Sequence, residues 1–179
     1  PTPRIRQGEH GPEYLVAAAD AGAGVPCDVA ISEVDIANLI RAKGAVYAGF
    51  SVLTRSVGIS LADVEEVLIG GSFGRYINVE KAVLIGLLPD MPWERFRYLG
   101  NTSVRGAYQA LLSPELRRQA TEIARRMTYL ELSADNSFME EFTSALFLPH
   151  TDETAFPSVA RVLRERVPGP GEPRASVAG

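Results

Sequence analysis

The sequence predicts an α/β fold, a mixed sheet with flanking helices. Three observations carry that prediction. Residues 4–31 alternate short apolar runs with Gly/Pro turns, the pattern of antiparallel strands. A long stretch then places Ile36, Leu39, Ile40, Val46, Phe50, Leu53 and Val57 at helical spacing. Beyond it, short β-rich runs alternate with helical ones, and helical crossovers connect parallel strands. With 179 residues, 46% apolar and 22% charged, the chain matches one globular domain with a real core.

The elements follow in order. "RIRQGEHGPEYLVAA" reads as two strands about a turn, and "ADAGAGVPCDVAIS" adds a second glycine turn and a third strand. Ser32 caps the long helix, with Asp35 reaching back in a capping box. That helix runs roughly seven turns, and Gly58 lies just past its end. Its second strip is small (Ala42, Ala45, Ala48, Gly49), so a backbone or a ligand can come close there. After the "SLADVEE" turn, strand Val67–Ile69 enters "GGSFG" and a helix capped by Asn78; Pro89 and Pro92 end the unit. "RFRYLG" is the next strand, followed by "NTSVRGAYQALL", a helix capped by Asn101 or Thr102. Ser113-Pro114-Glu115 opens another helix, with a capping hydroxyl, proline at the first position and an acid in the first turn. "TYLELSA" reads as a strand and "NSFMEEFTSALFL" as the last helix. Periodicity is lost beyond Pro149. Residues 1–150 are therefore expected to form the folded unit and 151–179 an extension, with 168–179 too polar and Pro/Gly-rich to order.

Composition narrows the chemistry. A net charge of −4 with no basic face gives no reason to expect nucleic-acid binding. No apolar run approaches the roughly 20 residues that span a bilayer, and no signal peptide opens the chain, so a cytoplasmic protein without a membrane partner is expected. One cysteine rules out an intrachain disulfide, and with two histidines it leaves no thiolate set for a cluster or a Cys-rich zinc site. Cys27 is expected to be a small core residue, and His10 and His150 exposed loop residues; no metal site is expected. The chain begins at Pro1, inside an apparent strand, and reads as a piece of a longer polypeptide.

Three features carry possible chemistry. In "VLIGGSFGRY", Gly70, Gly71 and Gly74 follow a strand and lead towards a helix, and the carboxyl end of a strand is where open α/β sheets bind ligands. Phe73 and Tyr76 offer flat faces there, and Arg75 a guanidinium for a base or a phosphate. The pattern is neither Walker nor Rossmann, so a tight packing corner stands beside the ligand reading. In "NTSVRGAYQALL", Gly106 and Ala107 invite a close approach below the Asn101 cap. Lys43, in "IRAKGAVYAG", either snorkels to solvent or reaches a ribose or phosphate. No catalytic residue stands out, because Asp63, Asp90 and Asp135 sit where capping explains them.

The order of "DIANLIRAKGAVYAGFSVL", "VEEVLIGGSFGRYINVEKAVLIGLLPD", "GNTSVRGAYQALLS" and "FMEEFTSALFLPH" resembles the C-terminal part of the reductive activators of corrinoid enzymes, over about residues 5–150. That resemblance implies an actin-like (ribonuclease H-like) ATPase subdomain of the acetate kinase, sugar kinase, heat-shock chaperone and actin superfamily. It implies that Gly70, Gly71, Ser72, Phe73 and Gly74 form an adenosine motif, with Arg75 alongside. Lys43 matches a lysine offered to adenosine, and Asn101, Gly106 and Ala107 fall on a connecting helix at a hinge. The function implied is ATP-dependent return of a corrinoid protein from Co(II) to Co(I). ATP with Mg2+ is the cofactor, most of its ligands lying outside this chain. A [2Fe-2S] cluster would belong to an N-terminal region, since its cysteines are missing here. The partners implied are the corrinoid protein and the upstream half of the same activator; the apolar hinge face of an isolated half would also need a cover, so self-association as a homodimer or a companion chain is expected. "ADAGAG" mimics a phosphate turn, but its register places it in the meander as an ordinary hairpin turn. Two other readings stay open: a non-catalytic actin-like nucleotide-binding or protein-interaction module, and half of a small-molecule kinase.

Overall fold

The computed structural model describes residues 2–166, with the side chains of Ala21 and Arg166 left aside. The expectation for residues 168–179 lies outside the described residues.

The amino-terminal meander forms as expected. β1 (Ile5–Gly8), β2 (Gly11–Ala17) and β3 (Val29–Ser32) pair antiparallel in that order. Ile5 faces Tyr14 and Tyr14 faces Ile31, with a register shift between Leu15 and Ala17. Between β2 and β3, Asp20 holds its own turn: its Oδ1 accepts from Gly22 N at 2.9 Å and from Ala23 N at 3.2 Å. "ADAGAG" is thus a hairpin turn closed by its own aspartate.

α1 (Glu33–Ser56) starts at the Ser32 capping box and ends before Gly58, whose φ of 73° suits glycine. A 3-10 turn (Leu61–Asp63) leads to β4 (Val67–Gly70), and α2 (Val79–Leu84), capped by Asn78, crosses to β5 (Phe96–Gly100). β4 and β5 run parallel, Val67 opposite Phe96 and Ile69 opposite Tyr98. Antiparallel and parallel pairing are divided between two sheets. α3 (Thr102–Leu112) and α4 (Pro114–Arg126) follow, capped by Asn101 and Ser113, and then α5 (Asn136–Ser144) and α6 (Pro157–Arg166).

The core joins α1 to the C-terminal segments. Tyr47, Ala82, Val83, Leu88, Ala145, Phe156 and Val159 form one buried cluster, with Phe50, Ile69 and Phe96 packed against it. α1 meets α5 closely because Gly44 leaves room: a Cβ there would stand 3.4 Å from Ala145 O and from the Phe142 ring. The small strip is carried by Gly44 and Ala48, both buried, while Ala42 and Ala45 are exposed.

Four expectations are corrected here. Residues 127–131 belong to no strand, and a 3-10 turn covers Leu132–Ala134, because no strand among the described residues pairs with them. Loss of periodicity beyond Pro149 does not end the packed structure: Phe156 is fully buried, and Asp90 fixes the start of α6 by accepting from Ser158 N (2.8 Å) and Ser158 Oγ (2.6 Å). Cys27 is exposed, since it sits in the bend before β3 rather than in the strand. His150 is not an exposed loop residue; its ring packs 5.2 Å from Tyr47 and 6.1 Å from Phe156.

Candidate functional site

The glycine turn stands at the carboxyl ends of the parallel pair. Gly71 adopts φ 99°, a left-handed conformation open to glycine. Its N–H donates to Gly100 O at 2.8 Å, and Tyr98 Oη donates to its carbonyl at 3.1 Å. The turn after β4 is therefore pinned to the turn after β5. A 3-10 turn (Phe73–Tyr76) continues from it.

The three glycines do different work. A Cβ on Gly74 would stand 2.6 Å from Ile69 Cγ2 and 3.1 Å from the Tyr98 ring, and one on Gly70 would stand 2.8 Å from Thr102 Oγ1. These two are corner glycines, required by close packing. Gly71 differs: among the described residues nothing lies within 4 Å of where its Cβ would be. Both the corner and the cradle exist, on different residues. Phe73 and Tyr76 flank the open backbone with 89% and 81% of their surface exposed, and Ser72 and Arg75 are exposed beside them. Exposed aromatic faces beside bare backbone can lie against a flat ring.

Asn101 joins this site. Its Oδ1 accepts from Val104 N at 3.1 Å, capping α3, while Nδ2 donates to Ser72 Oγ at 3.4 Å. The N-terminus of α3 thus opens beside the glycine turn, and its positive end favours an anion there. Gly106 and Ala107 lie further along α3, exposed, with open space where a Gly106 Cβ would be.

Lys43 is not brought to the turn. It is fully buried, and its ammonium donates to the carbonyls of Phe147 and of Pro149, the latter at 2.6 Å. Burial pushes its pKa down from 10.5 to about 8. It does not snorkel to solvent; it ties α1 to the segment that leads into α6. The reason is position: Lys43 precedes Gly44 at the α1–α5 contact, so its stem is covered by that packing.

The three aspartates are occupied as caps. Asp63 forms a capping box with Ser60, Asp135 accepts from Ser137 N at 2.8 Å, and Asp90 holds Ser158. The hydrogen bonds from Ser137 hold the Asp135 carboxyl below the usual range. Among the described residues no group of three His, Cys, Asp or Glu could hold a metal, and no helix is long and apolar enough to cross a membrane.

A family described as the C-terminal domain of RACo, the ASKHA domain, matches residues 1–160. The chain belongs to this family. It is similar to the corrinoid activation enzyme RamQ of Eubacterium limosum, 38% identical over 115 residues, which is 64% of this chain and 19% of that protein. It is 28% identical over 112 residues, 62% of this chain, to the [Co(II) methylated amine-specific corrinoid protein] reductase of Methanosarcina barkeri, of which it spans 21%. A solved reductive activator for corrinoid, iron-sulfur protein superposes with a TM-score of 0.79 at 48% identity, covering 87% of this chain and 24% of that one. The chain thus spans about a fifth of the curated relatives it matches. The expected actin-like fold stands, since the ASKHA domain is the actin-like one and the superposition covers most of the chain.

Within this ASKHA domain, one cluster was missed by sequence reasoning. His150 Nδ1 accepts from Asp152 N at 3.0 Å, which leaves the proton on Nε2, and that buried atom has no hydrogen-bond partner among the described residues. The nearest carboxylate oxygen, Glu141 Oε1, is 3.8 Å away, while the other Glu141 oxygen accepts from Arg55 Nη2 at 2.7 Å. Burial, and then the Glu141 charge, pushes the Tyr47 phenol beside them up to about 12. The signal available was the apolar run "ALFLPH", which carries His150 into the core with it.

Proposed function

We propose that this chain is the nucleoside-binding C-terminal part of an ATP-dependent reductive activator, one that returns a corrinoid protein from Co(II) to Co(I). The observation that carries it is Gly71: bare backbone at the carboxyl end of β4, with open space above it and exposed aromatic faces beside it. Gly71 and Ser72 would bring the backbone close to the adenosine, Phe73 or Tyr76 would lie against the base, and Arg75 would meet the ring or a phosphate. Asn101 would hold Ser72 in place. Gly70 and Gly74 shape the corner. Lys43 is withdrawn as a ligand.

ATP, bound with Mg2+ whose ligands lie mostly outside this chain, would supply the free energy that favours one conformation of the whole activator. Such coupling works only through tighter binding to one state than to the other. A [2Fe-2S] cluster in an N-terminal region would donate the single electron that converts Co(II) to Co(I). On this reading the complete activator hydrolyses ATP in the cytoplasm, and its partners are the corrinoid protein and its own upstream half.

A second reading is favoured by one observation. α3 and α4 contain no buried residue, yet carry Val104, Tyr108, Leu111, Leu112 and Ile123 on their surface. Apolar area on this scale marks an interface, so self-association through this face is the rival to docking on the upstream half. Calorimetry of ATP with this chain alone, and then with the upstream half supplied in trans, tests the activator reading, and sedimentation of this chain alone tests self-association. Binding should appear or tighten by at least about tenfold on reconstitution and vanish in Gly71→Val. If the halves associate and ATP never binds, the turn is a corner only and the interaction module replaces the activator.

A further inference from the structure

Between α4 and the Leu132–Ala134 turn the chain runs extended with its backbone unpaired. Met127 has φ −69° and ψ 131°, and Glu131 has φ −80° and ψ 95°, both extended. The Met127 N–H closes α4 on Ala124 O, and backbone pairing resumes with Ala134 N donating to Glu131 O. Among the described residues, Thr128, Tyr129 and Leu130 neither donate nor accept a backbone hydrogen bond. Unpaired backbone is ordinarily satisfied by water or by a partner.

Exposure divides the segment: Met127, Thr128, Tyr129 and Glu131 are exposed and Leu130 is half-buried. Leu132, the first residue of the turn that follows, is half-buried and lies 4.0 Å from where a Cβ on Gly49 would stand, so the end of the segment comes close to α1. Met127 and Tyr129 are 75% and 80% exposed. The Tyr129 Oη donates to Glu131 Oε2 at 2.6 Å, a contact between residues two apart that extended backbone allows because alternate side chains share a face. Glu131 also accepts from Ser133 N and Oγ, which fixes the segment's end. The composition, Thr-Tyr-Leu, is that of a strand.

We propose that residues 127–131 are an edge strand awaiting a partner, and that its occupant is a strand from the part of the activator polypeptide outside this chain. The inference rests on the activator reading above. Its source is the length of that polypeptide: the curated relatives and the solved activator are four to five times as long as the segment matched here, whose shares of them are 19%, 21% and 24%. Strand addition satisfies the free N–H and C=O groups, and pockets for alternate side chains such as Met127 and Tyr129 set the register.

The test is amide hydrogen exchange on the complete activator polypeptide, compared with this chain alone. Thr128–Glu131 amides should exchange about 100-fold more slowly in the complete protein than in the chain alone. Successive N–H groups of a strand point to opposite edges, so only one of Thr128→Pro and Tyr129→Pro should matter when the upstream part is supplied in trans. That one should weaken association about tenfold without shifting the melting of this chain. If the parts associate and bind ATP while these amides exchange freely, the strand pairing is overturned and the activator reading stands. If the parts do not associate, both fall. Protection that grows with the concentration of this chain alone would make the occupant a second copy and overturn the assignment.

Discussion

Replacing Lys43 by methionine separates a structural lysine from a ligand. The stem is kept, so packing against α5 is little changed, and only the ammonium is lost. Two terms oppose each other. At pH 7 the charge is buried at a cost: the fall from 10.5 to about 8 corresponds to about 3 kcal/mol. Against this, the carbonyls of Phe147 and Pro149 lose their donor, each orphaned oxygen costing about 1–3 kcal/mol. The sign with pH follows from proton counting. A lysine whose folded pKa is depressed binds its proton less well in the native state, so the unfolded chain holds more protons between pH 8 and 10.5, and stability rises with pH there. Wild type should therefore gain about 2–3 kcal/mol between pH 7 and pH 10, as neutral Lys43 keeps both donors. Lys43→Met cannot gain it. The variant should be within about 1 kcal/mol of wild type at pH 7 and about 2–4 kcal/mol less stable at pH 10. The opposing loss from Tyr47, whose phenol is raised to about 12, is present in both proteins and cancels in the comparison. Urea unfolding followed by circular dichroism at the two pH values measures the gap. A gap that stays constant or narrows refutes the buried-lysine argument. Unchanged stability at both values, with weaker ATP binding in the reconstituted protein, would return Lys43 to the nucleotide.

Four further outcomes are expected. Phe156→Ala, which empties a fully buried ring site beyond Pro149, should cost about 3–5 kcal/mol in thermal or urea unfolding; a cost under about 1 kcal/mol would detach that segment from the core. Asp90→Ala removes both acceptors of Ser158 and should cost about 1–2 kcal/mol, with amide exchange accelerating first in α6. Gly74→Ala forces methyl against Ile69 and Tyr98 and should lose about 1–3 kcal/mol of stability. Gly71→Ala, with open space but φ 99°, should lose about 1–2 kcal/mol by strain and, in the reconstituted protein, at least about tenfold in ATP affinity; equal affinity losses in the two would mean that the glycines are not divided as described.

The local elements were legible because their signals are local. The Ser32–Asp35 capping box, Gly58 past α1, Asn78 and Asn101 as caps, and Pro114 at the start of α4 each depend on residues within a turn of one another, and all stand where the sequence placed them. The glycine motif likewise announced a strand-to-helix turn, and the order of the segments announced the family. What the sequence alone left open were matters of contact at long range. Whether "TYLEL" pairs depends on a partner strand, and its β-propensity says nothing about whether one is at hand. Which of three glycines serves packing and which stays open depends on Ile69, Tyr98 and Thr102, brought to the turn by the β4–β5 register. Lys43 looked free because a helical wheel shows one face at a time. It is buried by α5 and the 147–149 segment, which follow it by about a hundred residues, as its bond to Phe147 shows. Sequence determined the pieces and their caps. Tertiary packing decided which side chains those pieces hide, because burial is set by whatever lies across from a residue, however far away along the chain.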